Sequence, residues 1–203
     1  MDEYTELGKE AAGRLEQHDY AGAGDYFTFA GLSAIGASKF TEMEVESGFG
    51  RLPLGGGVTD MLAAVVCYRL AGDDERTTRR SKEGILLVED IRDGFFADPV
   101  QNGLAHELTG DFRLFGNLGG AVEAYSQAVP AYEACDNPIG WAGEPEFDLP
   151  LILGGRIART VGTSLDSSLF GSLTARIEFK QTEFPALFEK LLDVGHLDYR
   201  SEK

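Results

Sequence analysis

Residues 104–132, LAHELTGDFRLFGNLGGAVEAYSQAVPAY, carry the pattern that decides the fold. Leu104, Leu108 and Phe112 recur every four residues and so lie along one face of a helix. Past the turn GNLGG at 116–120, Ala121, Tyr125, Ala128 and Tyr132 line one face of a second helix. Two helices joined by so short a turn form an antiparallel hairpin. Pro130 lacks the N–H that would reach the carbonyl of Ser126, so the second helix is expected to kink or end there.

Working outward, the helical period dominates the rest of the chain. Tyr4, Leu7, Ala11 and Leu15 form one stripe, His18 and Asp19 interrupt it, and Ala23, Phe27 and Ala30 form a second. Between 36 and 57 the pattern fails, and the closing stretch GFGRLPLGGG, with five Gly and one Pro in ten residues, predicts a loop or insertion. Helix returns from Thr59, stops at Gly72, and resumes from about 74 to 96 with Asp73 or Asp74 as its cap. Gly84 lies inside that long helix at a cost of about 1 kcal/mol. The Pro- and Gly-rich stretch 136–150, which holds Trp141, predicts another loop. Beyond it 151–161 and 184–194 read as helices, the latter stopped by Gly195. In 173–180, Leu173, Ala175, Ile177 and Phe179 also alternate as in a strand, so a short strand there is the alternative to helix.

The stretch GNLGGAVEAYSQAV, 116–129, resembles the turn and second helix of a tetratricopeptide repeat: Gly116 at the turn, then small, aromatic and small residues at Ala121, Tyr125 and Ala128. Leu108 and Phe112 match the large positions of that repeat's first helix, although Thr109 stands where Gly is usual. Residues 19–30 repeat the second half with Asp19, Tyr20, Ala23, Phe27 and Ala30. The middle unit keeps Tyr68 and Gly72, but has Thr77, Ser81 and Gly84 where Ala, aromatic and Ala are expected. The unequal spacing of the three units departs from the regular repeat of that family. The resemblance implies a right-handed stack of helical hairpins whose inner helices line a groove for a peptide or protein segment.

The charge is lopsided: 34 acidic against 18 basic residues, a net charge of −16 spread along the whole length. Lysine is scarce, and the balance is similar to that of cytosolic proteins from extreme halophiles; the alternative is an acidic protein of ordinary salt. Such a surface argues against nucleic acid, whose phosphates need a basic one. The acidic start MDEYTEL lacks the order of a secretory signal, and no apolar run approaches the roughly 20 residues that span a bilayer. A cytoplasmic protein without a membrane segment is expected. Cys67 and Cys135 have no partner motif for a disulfide or thiolate metal site.

The basic concentration ERTTRRSK, 75–82, places Arg76, Arg79 and Arg80 on about two turns of one helix. Guanidinium groups grip carboxylates in a bidentate way, so these three residues are the candidate site for an acidic segment. The competing reading is a solvated face with local ion pairs to Glu75 and Glu83. His18, His106 and His196 lack the spacing of a helical metal site. LPLGGGVTD precedes a helix but has no phosphate-loop Lys, and Glu42, Glu44 and Glu46, like Asp73, Asp74 and Glu75, lack calcium-loop spacing. Trp141 in its loop reads either as a contact anchor or as a residue tucked over the core.

These features together predict an all-α domain over 1–203, an irregular array of antiparallel helical hairpins with loops at about 36–57 and 136–150. The function expected is a non-enzymatic protein–protein interaction adaptor in a high-salt cytoplasm, with no cofactor and no metal. The alternative is a helical-bundle small-ligand-binding protein or enzyme whose site is assembled from distant residues.

Overall fold

The computed structural model describes residues 3–37, 53–96, 98–136, 140, 142 and 145–198. Among them are nine α-helices: α1 (Glu3–Glu16), α2 (Tyr20–Ala37), α3 (Pro53–Leu70), α4 (Asp74–Phe95), α5 (Pro99–Phe115), α6 (Ala121–Glu133), α7 (Leu149–Thr160), α8 (Leu173–Thr182) and α9 (Phe184–Val194). Two 3-10 turns, Pro145–Asp148 and Ser167–Phe170, complete the set, and no strand occurs among the described residues. The fold is all-α. The alternation at 173–180 does not make a strand, because the Ser172 hydroxyl caps the N–H of Ala175 at 3.3 Å and starts a helix. Its buried residues are Leu173, Arg176, Ile177 and Lys180, a helical period in which two members are charged.

Local signals set the other ends. Asp73 caps α4 by accepting from the N–H of Arg76 at 2.9 Å. Asp98 and Gln101 form a capping box on α5, Asp98 accepting from the N–H of Val100 at 3.0 Å and Gln101 from that of Asp98 at 3.1 Å. At Gly72 (φ +70°), Gly120 (φ +86°) and Gly195 (φ +70°) the chain turns through the left-handed region, where a Cβ would strain the backbone.

Successive helices pack on one another from α1 to α6, giving three hairpins, α1/α2, α3/α4 and α5/α6. The remaining chain then folds back. Helix α7 packs against both α3 and α5, α8 against α6, and α9 against α7 and α8. In a stack of hairpins the first helices share one face. Here α3 and α5 are such a pair, and α7 lies across them. One apolar core runs from Leu54 on α3 to Leu197 beyond α9. A smaller one, with Ala11, Leu15, Ala23, Phe27, Cys67 and Tyr68, ties the first hairpin to the same α3. Cys67 is buried, Cys135 half-buried, and both are free thiols. No helix among the described residues is long and apolar enough to cross a membrane.

Two expectations about breakers are corrected. Helix α3 begins at Pro53, so the triple glycine at 55–57 is helical instead of loop. Its glycines serve contact: a Cβ on Gly57 would lie 2.9 Å from the carbonyl oxygen of Gly31, and one on Gly31 equally close to that of Gly57, so α2 and α3 meet backbone to backbone. Helix α6 continues through Pro130 to Glu133, because Tyr132 in its last turn is buried and bonded to Glu107 on α5. Gly84 follows the same logic as Gly57, since a Cβ there would overlap the ring of Phe112. Trp141 lies outside the described residues.

Candidate functional site

The densest polar arrangement is buried between α5, α6 and α8. Glu107 and Asp111, one turn apart on α5, face Arg176 and Lys180, one turn apart on α8, and each of the four is at most 1% exposed. Arg176 Nη2 donates to Glu107 Oε2 at 2.7 Å. Lys180 Nζ donates to both oxygens of Asp111 at 2.7 and 2.6 Å and stands 3.1 Å from Glu107 Oε1. From α6, the Tyr125 hydroxyl donates to Asp111 Oδ1 at 2.9 Å and the Tyr132 hydroxyl to Glu107 Oε2 at 2.8 Å. Arg176 also donates through Nη1 to the carbonyl of Phe147, which brings in the segment before α7. Small residues make room for the phenols: Gly110 lies against the ring of Tyr125 and Gly103 against that of Tyr132.

Four formal charges cancel inside this cluster. Burial favours the neutral form of Glu107, but Arg176, Lys180 and the Tyr132 hydroxyl outweigh it and hold the carboxyl below its usual range. Burial pushes Asp111 up to about 6, with Lys180 opposing and the neighbouring Glu107 adding to the shift. The two phenols are pushed well above their ordinary value by burial and by the carboxylates they bond. Each cation is matched to a carboxylate at contact distance and shielded from water, so the arrangement works as a latch between α8 and the third hairpin. Acid–base chemistry on an outside substrate needs an accessible face, which four side chains this deeply buried do not offer.

A second, shallower polar junction holds the residues expected to bind a partner. Arg76 Nη1 donates to Asp25 Oδ1 and Oδ2 at 3.0 and 3.2 Å, and its Nε to Asp73 Oδ2 at 2.5 Å. Its guanidinium carbon lies 4.8 Å from the centre of the Tyr68 ring, and the Tyr68 hydroxyl donates to the same Asp25 at 2.7 Å. Arg76 thus pins α4 to α2. Arg80 pairs with Glu83 on its own helix, with its side chain 12% exposed. Arg79 is exposed. The three arginines share a region of α4 but not a role.

Two of the three histidines, His18 and His196, come together, whereas His106 lies elsewhere on α5. His18 sits in the α1–α2 turn at φ +57° with Nδ1 2.8 Å from the Tyr20 hydroxyl; His196, just past α9, meets it edge to face with ring centres 6.4 Å apart. His106 on α5 is depressed by burial and by Arg92. No group of three or more His, Cys, Asp or Glu that could hold a metal ion occurs among the described residues. Asp60 on α3 is 7% exposed, and burial pushes it up to about 7, opposed by a hydrogen bond from Tyr4 and by Arg156.

An open groove of about 740 Å³ lies between the segment 161–169 and helices α8 and α9. Leu165, Leu169, Phe179 and Leu187 give it an apolar floor, with Asp166, Glu178, Glu183 and Lys190 among its polar residues. Fold and groove together define an all-α protein of packed helical hairpins whose C-terminal helices return across the array. No family model matches the sequence, and no curated protein and no solved structure is similar to it.

Proposed function

We propose that this chain is a non-enzymatic protein–protein interaction adaptor, related in plan to tetratricopeptide hairpin arrays and adapted to a salt-rich cytoplasm. The observation that carries the reading is the contrast between its two polar environments. The convergent charged groups are sealed and mutually neutralised, whereas the groove at 161–169, α8 and α9 is open and lined by both apolar and polar side chains, a shape that suits a peptide segment better than an enclosed metabolite. The groove for the partner is the one between 161–169, α8 and α9, since α7 covers the face of α3 and α5. The net charge of −16 supports a solvent in which carboxylates are screened.

The test is affinity co-purification from a native lysate held at molar salt, comparing the parent with Leu165→Glu in the groove and with Arg79→Gln on α4. A stoichiometric partner lost with Leu165→Glu supports an adaptor working through this groove. Loss with Arg79→Gln instead would move the partner surface to the arginine cluster. Retention by both variants would refute both surfaces, and a metabolite bound stoichiometrically in the groove would refute the adaptor reading.

A further inference from the structure

Helix α2 stands apart from the rest of this acidic chain. It carries a single charged residue in 18, Asp25, and that carboxylate is already held by Arg76 and Tyr68. From Tyr26 to Ala37 there is no acidic or basic side chain, although 26% of the whole sequence is charged. A helix apolar on all sides is ordinarily covered on all sides. Yet among the described helices α2 packs chiefly against α1 and α3, and its outer strip leaves Phe29 56% and Leu32 50% exposed, one turn apart. Of the other exposed large apolar residues, Leu86 lies between Glu83 and Glu89, Val122 next to Glu123 and Val194 next to Asp193, while Ile152 and Phe170 stand singly on different elements.

We propose that the outer strip of α2 is a homodimer surface, covered by α2 of a second copy. The argument is electrostatic as much as apolar. Two chains of charge −16 repel, and a symmetric contact sets each surface patch against itself. Acidic patches are thereby excluded, and a neutral patch is the one that meets its own copy without opposing carboxylates. An antiparallel crossing about a two-fold axis between Ala30 and Gly31 sets Phe29 against Leu32 of the second copy. The same axis sets Asp25 against Gly36 of the second copy, keeping the two Asp25 carboxylates apart. Burial of apolar area drives the contact, and salt strengthens it by screening the remaining repulsion. One helix pair is a small interface, so the dimer is reversible and its fraction depends on concentration.

Sedimentation velocity over a range of protein concentrations in molar KCl tests this, with Leu32→Glu, Leu32→Ser and, as a control, Leu86→Glu. The parent is expected to shift from monomer to dimer as concentration rises. Leu32→Glu should weaken association at least ~10-fold, the equivalent of about 1.4 kcal/mol over the whole dimer, Leu32→Ser less, and Leu86→Glu not at all. Circular dichroism on the same samples checks that the variants fold; Leu32→Ser keeps the test sharp if the glutamate does not. A parent that stays monomeric at every concentration, association that ignores position 32, or association that weakens as salt rises would each overturn the proposal. The groove between α8 and α9 plays no part in these readouts, so they stand or fall apart from the adaptor reading.

Discussion

Lys180→Met is the substitution that most directly questions the buried latch. Lys180 Nζ reaches Asp111 through two bonds of 2.6 and 2.7 Å and Glu107 at 3.1 Å. Methionine fills much of the same volume, so the packing changes little while the charge disappears. Asp111 then keeps only the Tyr125 hydroxyl, and the guanidinium of Arg176, bonded to Glu107, is left as the one cation of the cluster against two buried carboxylates. Removing one partner of a buried pair costs ~3–5 kcal/mol, and for a chain of this size each kcal/mol moves Tm by ~2–4 °C. A fall of ~6–20 °C is therefore expected by circular dichroism in molar KCl, and because buried pairs are poorly screened it should persist across salt concentrations. Adding Asp111→Asn removes the orphaned charge and should recover most of the loss. The single variant should also suffer less at pH 5 than at pH 8, because a carboxyl already raised to about 6 takes up a proton more readily once Lys180 is gone. A single variant within about 1 kcal/mol of the parent would show that the latch does not hold α8. A double variant as weak as the sum of the two singles would show that the charges are not coupled.

Asp60 has a folded pKa raised to about 7 by burial, so its ionisation opposes folding and stability drains as pH climbs from the ordinary carboxylate range through 7. Asp60→Asn should therefore raise Tm at pH 8 and leave it nearly unchanged at pH 4, and equal shifts at both would contradict the burial argument. Gly84→Ala, despite a helix propensity gain of about 1 kcal/mol, should destabilise because its Cβ meets Phe112, whereas Gly13→Ala on α1, with nothing within 4 Å, should stabilise. Tyr132→Phe leaves Glu107 one donor short and should cost ~1.5–3 kcal/mol in urea unfolding. Dilution from molar to millimolar KCl lengthens the screening distance from about 3 Å to beyond 10 Å and should lower Tm; an unchanged cooperative melt would remove the case for a salt-adapted surface.

The helices were legible in the sequence wherever an apolar stripe had polar neighbours, as on α1, α5 and α6. Capping was legible too: Asp73 and Gly195 act where their residue types predict. Glycine was the poorest guide. At Gly56, Gly57 and Gly84 it signals close approach of a neighbouring helix, and composition alone does not distinguish that from a flexible loop. The latch was hidden for a related reason. Glu107 and Asp111 interleave with Leu104, Leu108 and Phe112 on the buried face, and Arg176 and Lys180 interleave with Leu173 and Ile177. Acidic and basic residues a turn apart within an apolar stripe are the signal for such a pairing. In a chain rich in carboxylates the acidic half reads as surface, and the two halves are 69 residues apart. Arg76 shows the converse, since a basic run looks like a handle until Asp25, from a different hairpin, is seen holding it.

The return of α7 across α3 and α5 changes how this molecule comes into being. An open stack of hairpins gains order unit by unit, each new repeat needing only the one before it, and it can be lengthened or trimmed at its end. Here the middle of the chain stays uncovered until Leu149 and the residues after it have been made, and Arg176 and Lys180 cannot close on Glu107 and Asp111 until later still. Completion therefore waits on α7 to α9, through contacts between distant parts of the chain of the kind that slow folding, and the expected melt is a joint one of the hairpins instead of fraying from one end.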